Sequence, residues 1–447
     1  MTGLMPLFAW SEIDWTLQDL DTTGDWIAFA SIPVFTAVIG WLINWTGLIM
    51  LFAPINFHGF TVPGMKDLAK LAPRKLQEVP GVLQGGVGWQ GIVPARAAKM
   101  GSIAVDKAIA KLGTPKEFYQ QLEPEKIAEH IVTIFEPDIP ELVDDVMSRG
   151  NPTFWRDLPT PGKRAIIARV QQQLPGVVKT VTDEIGEHID QLLDPKIMVI
   201  DHFQKNPGLV VRVFKDVGQK ELNMMVNFGF IFGFLLGIPV AFADHWFHQW
   251  WLLPVLGVVV GWTTNLLGMW LIFEPTVPKR YFGIRFHGLF LRRQNEAAEV
   301  YARIIADDVI TLERIGDFLL DGPRGDRTRQ MLAAALGPAI DKAAGPVRGA
   351  ARVAIGRRAY DTIKDTFASE AVDRTLTPFK DLEFSRKQSE KIRTLIAART
   401  KELHPDDFVE MMRSAIKEDE WMLYAHGAIM GLAGGFAHLA IFGVGGG

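Results

Sequence analysis

The chain has 447 residues, 48% of them apolar, and it contains 13 Trp, 28 Phe and no Cys. The lack of Cys excludes disulfides, thiolate nucleophiles and Cys-based metal sites. The net charge of −4 gives no overall basis for binding nucleic acid. The apolar residues are concentrated in a few long runs, which is typical of an integral membrane protein.

The chain contains one pattern twice. The stretches that begin at Gly40 and Gly261 share Gly, Trp, Asn, Gly, Phe and Pro in the same order, at an offset of 221 (261 − 40). Farther along, the stretch from Gly91 matches the stretch from Gly288 at an offset of 197 (288 − 91). We therefore interpret the chain as two copies of one unit, with about 24 extra residues between Pro54 and Gly91 of the first copy.

Four apolar runs are long enough to cross a hydrocarbon core of about 30 Å. The predicted domains are an outer segment 1–24, a span 25–54, a helical cytoplasmic domain 55–221, spans 224–243 and 251–273, a second helical cytoplasmic domain 276–420 and a span 421–443. Lys and Arg near the ends of the spans lie in the two long polar regions. This bias places the polar regions in the cytoplasm and both termini outside, in a multi-pass plasma membrane protein.

The polar regions show helical periodicity and no convincing strand alternation. The clearest stripe recurs every three to four residues and comprises Ile166, Val170, Val177, Val181, Ile185, Ile189 and Leu192. Such a stripe most often faces a protein core, and the alternative is that part of it faces lipid. The predicted fold class is all-α: four transmembrane helices in two parallel repeats, each carrying a helical cytoplasmic domain.

Asn44 and Asn265 occupy matching positions inside the first and third spans. An amide in hydrocarbon is costly without a partner. We expect an interhelical hydrogen bond at each, and a contact with a solute or a lipid headgroup is the alternative.

Two glycine ladders with a four-residue repeat lie in the second and fourth spans. They comprise Gly229, Gly233, Gly237, Gly427, Gly431 and Gly435. Small residues at this spacing share one helical face and allow close approach of a second helix, so we assign them to helix packing.

His426 and His438 lie in the fourth span. A histidine in a membrane helix can relay protons or bind metal, but neither has a histidine at the matching position of the second span. Packing is therefore the favoured role. Asp244, His245 and His248 share a short loop that is only a weak metal candidate, so no metal site is predicted.

Apolar residues and arginines are combined after the first and third spans. Trp89 and Arg96 follow the first span, and Arg292 and Arg293 follow the third. Aromatic and basic side chains together favour the membrane interface, where arginine meets phosphate. We expect these four residues to contact lipid or a partner, and a helix start on the cytoplasmic domain is the alternative.

The same strings resemble a bacterial membrane family known as "domain of unknown function 445". The resemblance rests on Gly40 through Pro54, on Gly88-Trp89-Gln90-Gly91-Ile92-Val93-Pro94-Ala95-Arg96, and on the Asn/His-Pro helix that precedes each glycine ladder. It covers almost everything from about Asp25 onward. The second copy departs from it, with Arg285-Phe286-His287-Gly288 in place of the Gly-Trp-Gln-Gly string. The resemblance implies a bacterial inner-membrane protein with helical cytoplasmic parts and no agreed activity.

No Ser/His/Asp set, Walker loop or HExxH motif is present in the sequence. We therefore expect no enzyme, no catalytic residue and no cofactor. The predicted function is lipid binding or handling, or membrane-associated scaffolding, through the helical cytoplasmic domains. The expected partners are membrane lipid, a protein or a second copy of the chain, and not nucleic acid. The alternative is a small-solute or ion transporter or channel, with a pathway between the repeats near Asn44 and Asn265.

Overall fold

The computed structural model describes residues 23–73, 77, 79–247, 249–281, 283–344, 349, 352–353, 356–374, 379 and 381–442. The structure is 84% helical, which confirms the all-α class. The predicted outer segment 1–24 lies almost wholly outside the described residues, as do His248 and the residues beyond Phe442.

The helices and strands follow one another in this order: α1 (Thr23–Phe52), β1 (His58–Thr61), α2 (Met65–Ala69), α3 (Pro80–Gln84), β2 (Gly86–Trp89), α4 (Ile92–Ala95), α5 (Ala97–Ile103), α6 (Ala110–Leu112), α7 (Pro115–Gln121), α8 (Pro124–Phe135), α9 (Ile139–Gly150), α10 (Pro152–Asp157), α11 (Thr160–Leu192), α12 (Pro195–Lys205), α13 (Pro207–Phe247), α14 (Leu252–Phe273), β3 (Lys279–Tyr281), β4 (Ile284–Phe286), α15 (Gln294–Ile304), α16 (Leu312–Asp321), α17 (Gly325–Ala344), α18 (Arg357–Arg374), α19 (Leu382–Glu402), α20 (Pro405–Lys417) and α21 (Glu420–Phe442). Short π-helical turns at Ala104–Ile109 and Ile305–Val309 and 3-10 turns at Glu136–Asp138 and Leu291–Arg293 connect some of them.

Four of these helices, α1, α13, α14 and α21, are long and apolar enough to cross a membrane, as predicted. In the most apolar 18-residue stretch of each helix, only 22% to 39% of the residues are buried within the protein. Large apolar side chains such as Val34, Leu235 and Ile429 are therefore exposed on their outer faces. Apolar surface of this extent requires lipid or another apolar partner.

The second candidate span differs from its predicted bounds. Helix α13 runs without interruption through 41 residues, whereas the apolar run alone covers 224–243. Pro207 stands at its first turn, where the ring is tolerated because that N–H has no partner within the helix. The stretch from Gly208 to Asn223 contains no further proline, so one helix joins the polar region to the candidate span.

The chain divides into two compact units. Unit 1 comprises Met1–Lys107, Phe203–Ala297 and Leu403–Gly447, and unit 2 comprises Ala108–His202 and Ala298–Glu402. Each polar region contributes its ends to unit 1 and its middle to unit 2. The assignment of residues 55–221 and 276–420 as two cytoplasmic domains stays a prediction.

The glycine ladders lie at the helix contacts of unit 1, where α13 packs along α1 and α21 packs along α14. A methyl group added at Gly229 or Gly233 would overlap a backbone oxygen of α1, and one added at Gly427 or Gly431 would overlap a backbone oxygen of α14. Helices α1 and α14 also contact each other and each contacts both remaining spans. The glycines therefore bring backbones together that larger residues would separate.

The apolar stripe of α11 faces the core of unit 2. Val181 is buried in a cluster with Leu332 and Val372, and Val177 and Ile185 pack against that cluster. The first part of the stripe packs against a second cluster, which comprises Ile139, Leu142, Val143, Val146 and Trp155. The core-facing interpretation of the stripe therefore describes the structure.

Two short antiparallel ribbons, which the sequence did not predict, stand at matching places in unit 1. β1 begins at His58 and β3 at Lys279, an offset of 221 (279 − 58), and each starts six residues after its span ends. The strand partners of these two residues are Trp89 and Phe286, an offset of 197 (286 − 89). The extra residues of the first copy therefore occupy the tip of the first ribbon, between β1 and β2.

Candidate functional site

Both span asparagines are buried and hydrogen-bonded to the neighbouring helix. Asn44 Nδ2 donates to the carbonyl oxygen of Met225 at 2.7 Å. Asn265 Nδ2 donates to the carbonyl oxygen of Leu423 at 2.6 Å. A methyl group at Gly229 would contact Asn44 Nδ2. The glycine therefore lets the amide reach its acceptor, and the geometry is that of an interhelical hydrogen bond.

A glycine after each ribbon forms a backbone hydrogen bond to the proline that follows the candidate span. The N–H of Gly91 donates to the carbonyl oxygen of Pro54 at 2.9 Å, and that of Gly288 to Pro275 at 3.0 Å. In the first copy Gln90 Nε2 also donates to the carbonyl oxygen of Ile55 at 2.7 Å. The two ends of each ribbon are thereby held together next to the last turn of a span.

Two arginines each form an ion pair with an acid of the other sequence repeat. Arg96 forms a buried ion pair with Asp419, and both side chains are at most 4% exposed. Arg293 Nη1 lies 2.6 Å from Glu221 Oε1, and that glutamate is 2% exposed. The arginines match at an offset of 197 (293 − 96) and the carboxylates at 198 (419 − 221). Each repeat thus supplies one arginine and one acid to a reciprocal pair of contacts.

A second reciprocal pair lies beside the first, with its charges exchanged. Lys99 forms an ion pair with Glu418, and Lys220 Nζ lies 2.7 Å from Glu296 Oε1. Position 99 matches position 296, and position 220 matches position 418, so base and acid have changed places between the repeats. We call these four ion pairs the clasp. Opposite charges at both places keep the contact attractive in either arrangement.

A third matched contact places a cation over the last aromatic residue of a span. Lys215 Nζ lies 5.5 Å from the ring centre of Phe52, and the guanidinium of Arg413 lies 5.6 Å from that of Phe273. These distances fall within the range of cation–π attraction. The two cations match at an offset of 198 and the two rings at 221.

Among the residues that the structure describes, the second of these cations is paired with acids and the first is not. Arg413 Nε lies 2.7 Å from Glu420 Oε1, and Nη1 lies 2.7 Å from Glu274 Oε1. The hydrogen bond to Glu420, followed by that to Glu274, raises the pKa of the Arg413 guanidinium above its usual range. The matching positions of the first repeat hold Leu222 and Ala53, so this end of the bundle is more strongly charged in the second repeat.

The charges of the clasp stabilise the contact between the two repeats. Hydrogen bonds from Arg293 and then from Lys220 lower the pKa of the Glu296 carboxyl to about 2, so it is ionised at neutral pH. Buried charges such as Arg96 and Asp419 are tolerated because they neutralise each other. Chemically, this arrangement suits holding parts together rather than transferring protons.

The four interface residues predicted from the sequence have different surroundings. Trp89 is half-buried at the end of β2, and Arg292 is exposed and donates to the carbonyl oxygen of Arg285 at 3.4 Å. Arg96 and Arg293 are engaged in the clasp. A phosphate could reach Arg96 only by displacing Asp419, so contact between these four residues and lipid stays a prediction.

The histidines of α21 face α1. His438 Nε2 lies 3.0 Å from Ser31 Oγ, and His426 Nε2 lies 3.3 Å from Thr46 Oγ1. His438 also lines a mainly apolar cavity of about 30 Å³ between the four spans. Among the described residues, the His and carboxylate groups close enough to share a metal ion are Glu184, Glu187 and His188 on α11. Asp244 and His245 are not part of that cluster.

Sequence reasoning missed the acids of the clasp, Glu221, Glu418 and Asp419, and the exchange between Lys99 and Glu296. The signal was present in the repeat. When the copies are aligned at offsets of 197 and 198, an acid and a base change places at two positions, which is expected where the two positions contact each other.

In comparisons with known proteins, the chain matches no family model, no curated protein and no solved structure.

Proposed function

We propose that this chain is a non-enzymatic protein of a bacterial inner membrane, in which four spans anchor helical cytoplasmic regions that bind lipid or organise a partner there. The observation that carries the proposal is the clasp. It ties the polar ends of the candidate spans to one another, which favours a rigid anchor. The family resemblance of the sequence agrees with this assignment.

We also propose that the two halves are parallel repeats of one ancestral unit. A two-fold interface uses the same patch twice, so that residue i contacts j and j contacts i. The clasp follows this rule at the repeat offsets. The cation–π contacts and the asparagine hydrogen bonds lie within each repeat and recur at matching positions, as duplication of one unit requires. Two spans per repeat give both halves the same direction in the membrane.

The interior of the bundle favours an anchor over a conduit. Both asparagines that would mark a pathway donate to carbonyl groups of a neighbouring helix. The cavity between the spans has a volume of about 30 Å³ and mainly apolar walls, whereas water in a cavity needs several polar partners.

One observation favours the rival proposal, a conduit for protons or a small solute between the halves. His438 is 5% exposed, lines that cavity, and its Nδ1 has no hydrogen-bond partner among the described residues. A conduit requires flux to change when His438→Gln removes the imidazole. Unchanged flux of protons and tested solutes in a folded variant would leave the anchor as the better account.

The topology can be tested directly because the chain has no Cys. Single cysteines at Gln249, in the short loop between α13 and α14, and at Glu187, on unit 2, are both at exposed positions. We expect a membrane-impermeant maleimide to label Gln249→Cys in intact cells, and Glu187→Cys only after the membrane is opened. The reverse pattern would refute the proposed orientation.

The proposed role can be tested by mass spectrometry of lipids and proteins that remain bound after gentle extraction. We expect a lipid or a stoichiometric partner to be enriched relative to an unrelated four-span protein, and Arg292→Ala to weaken a lipid signal because that arginine is exposed. Arg96→Ala is unsuitable because it breaks a buried pair. If neither a lipid nor a protein is enriched, the proposed role fails.

A further inference from the structure

The first ribbon has one covered face and one bare apolar face. Gly81 of α3 packs so closely on β2 that a methyl group there would lie 2.8 Å from the carbonyl oxygen of Gly88. On the other side Phe60 and Val87 are directly opposite each other across the strands, and they are 66% and 52% exposed. A directly opposed pair of this kind forms one continuous patch.

The segment between β1 and β2 adds two exposed apolar side chains. Leu68 is 69% exposed and Leu71 is 84% exposed. Leu68 lies in α2, and Leu71 follows two residues after that helix ends. Together with Phe60 and Val87 they place four large apolar side chains on one short protrusion, where water would surround them if nothing covered them.

The protrusion is attached where a span ends, which identifies what can cover it. The hydrogen bonds of Gly91 and Gln90 hold its base at Pro54 and Ile55. Ile49 in the last turns of α1 and Ile55 at the base are both more than two-fifths exposed. The apolar surface of the protrusion therefore adjoins the outward surface of α1 that the bilayer would cover.

The sequence between β1 and β2 carries a net positive charge, which matches an anionic surface. Between β1 and β2 the sequence contains Lys66, Lys70, Arg74 and Lys75 against Asp67 and Glu78, a net charge of +2. The second ribbon contains Lys279, Arg280 and Arg285, and its register pairs Tyr281 with Ile284 at the positions that match Phe60 and Val87. Basic residues combined with aromatic and aliphatic ones are typical of segments that bind anionic lipid.

We propose that residues 58–73 and 79–89, which we call the wedge, insert into the headgroup and upper acyl region of the leaflet at the polar end of α1, and that the wedge prefers anionic phospholipid. This inference rests on the proposed function in that α1 must cross the membrane. It assigns the lipid contact to the first ribbon and not to the arginines of the clasp.

The test uses single-cysteine variants of the full-length protein, each labelled with a fluorophore that is sensitive to polarity. Leu71→Cys reports on the wedge, Ile49→Cys on the lipid-facing side of α1, and Glu187→Cys on water. Leu71 and Glu187 are exposed, so substitution there leaves the fold intact. The proteins are reconstituted in vesicles of phosphatidylcholine with or without about 30 mol% phosphatidylglycerol, an anionic lipid that attracts basic segments.

We expect brominated lipids to quench the label at Leu71 nearly as well as the label at Ile49, and aqueous iodide to quench only the label at Glu187. Lys70→Glu should raise iodide access to the Leu71 label in vesicles that contain phosphatidylglycerol. Lys179→Glu, an exposed lysine in a comparable local ion pair on unit 2, is the matched control and should not change that access.

Equal iodide access at Leu71 and Glu187, with Ile49 still shielded, would overturn the wedge and leave the anchor intact. Iodide access at all three labels would instead show that α1 does not cross the membrane, so the proposed function would fail as well. Shielding of Leu71 that depends on the protein-to-lipid ratio and not on brominated lipid would assign the surface to a second copy, which also overturns the wedge.

Discussion

At the scale of single residues, solvent exposure separates the two kinds of ion pair in the clasp. Arg96 and Asp419 are almost completely withdrawn from solvent, whereas Lys99 and Glu418 are 33% and 64% exposed. Exposed pairs contribute about 0–1 kcal/mol. Loss of one partner from a buried pair is far more damaging, because the other charge stays buried without compensation.

We therefore expect Arg96→Ala to reduce the free energy of unfolding by about 3–5 kcal/mol. Arg293→Ala should have a smaller effect because the Arg293 side chain is partly exposed. This substitution nevertheless removes the ion pair of the buried Glu221 with Arg293. Arg292→Ala, at the exposed neighbouring position, is the control and should change stability by about 0.5 kcal/mol or less. Chemical denaturation in detergent micelles measures all three, and equal stability of the Arg96 and Arg292 variants would contradict the buried pair.

The depressed pKa of Glu296 predicts a pH window. A carboxyl whose pKa is lower in the folded state stabilises that state above its usual pKa of about 4.5, and this contribution is lost as the pH falls to about 2. Wild type should therefore exceed Glu296→Gln in thermal stability at pH 7. The difference should shrink between pH 4.5 and 2. A constant difference across that range would show that the charge of Glu296 is not what stabilises the fold.

At the scale of helices, each close contact between spans depends on glycine. Gly229 and Gly427 let two backbones approach and give each asparagine access to a carbonyl group. A larger residue must separate the helices and stretch that hydrogen bond, so two interactions weaken together.

Gly229→Ala and Gly427→Ala should each destabilise the protein by about 1–3 kcal/mol, the usual cost of overpacking. Gly176→Ala is the matched control, since Gly176 also lies within a helix but has no neighbour within 4 Å of an added methyl group. It should stabilise helix α11 by about 0.5–1 kcal/mol. Thermal unfolding in micelles compares them, and effects of the same sign at Gly176 and Gly229 would argue against the close contact.

The sequence predicted the elements that depend on composition and missed those that depend on packing. Runs of apolar residues were sufficient to predict the four helices that could cross a membrane. The four-residue glycine spacing was sufficient to predict where two pairs of them pack. The ribbons were not predicted because strands of three or four residues are too short to show the alternation of apolar and polar residues. The sequence did not predict that α13 extends beyond the apolar run, because no proline separates its polar and apolar parts and so marks an end. The partners of Arg96 and Arg293 were missed because they are more than 70 residues away in the sequence.

At the scale of the whole molecule, the reciprocal contacts predict that the halves recognise each other without a covalent link. Fragments 1–248 and 249–447, expressed together with one tag, should copurify. Arg96→Ala combined with Arg293→Ala should reduce recovery of the untagged fragment, whereas Arg292→Ala should not. Failure of the wild-type fragments to copurify, when each is present in the membrane, would contradict the reciprocal interface.

The exchange of Lys99 with Glu296 and of Glu418 with Lys220 also has an evolutionary consequence under the proposed duplication. Reversing a pair by single substitutions passes through an ancestor with two like charges in contact. Water and salt weaken that repulsion at the surface, and the reversed pair, Lys220 with Glu296, is itself at least half exposed. The two pairs in which the acid is buried, Arg96 with Asp419 and Arg293 with Glu221, kept the order of arginine and acid. If the copies arose by duplication, access to water is the property that separates the pairs that exchanged their charges from those that kept them.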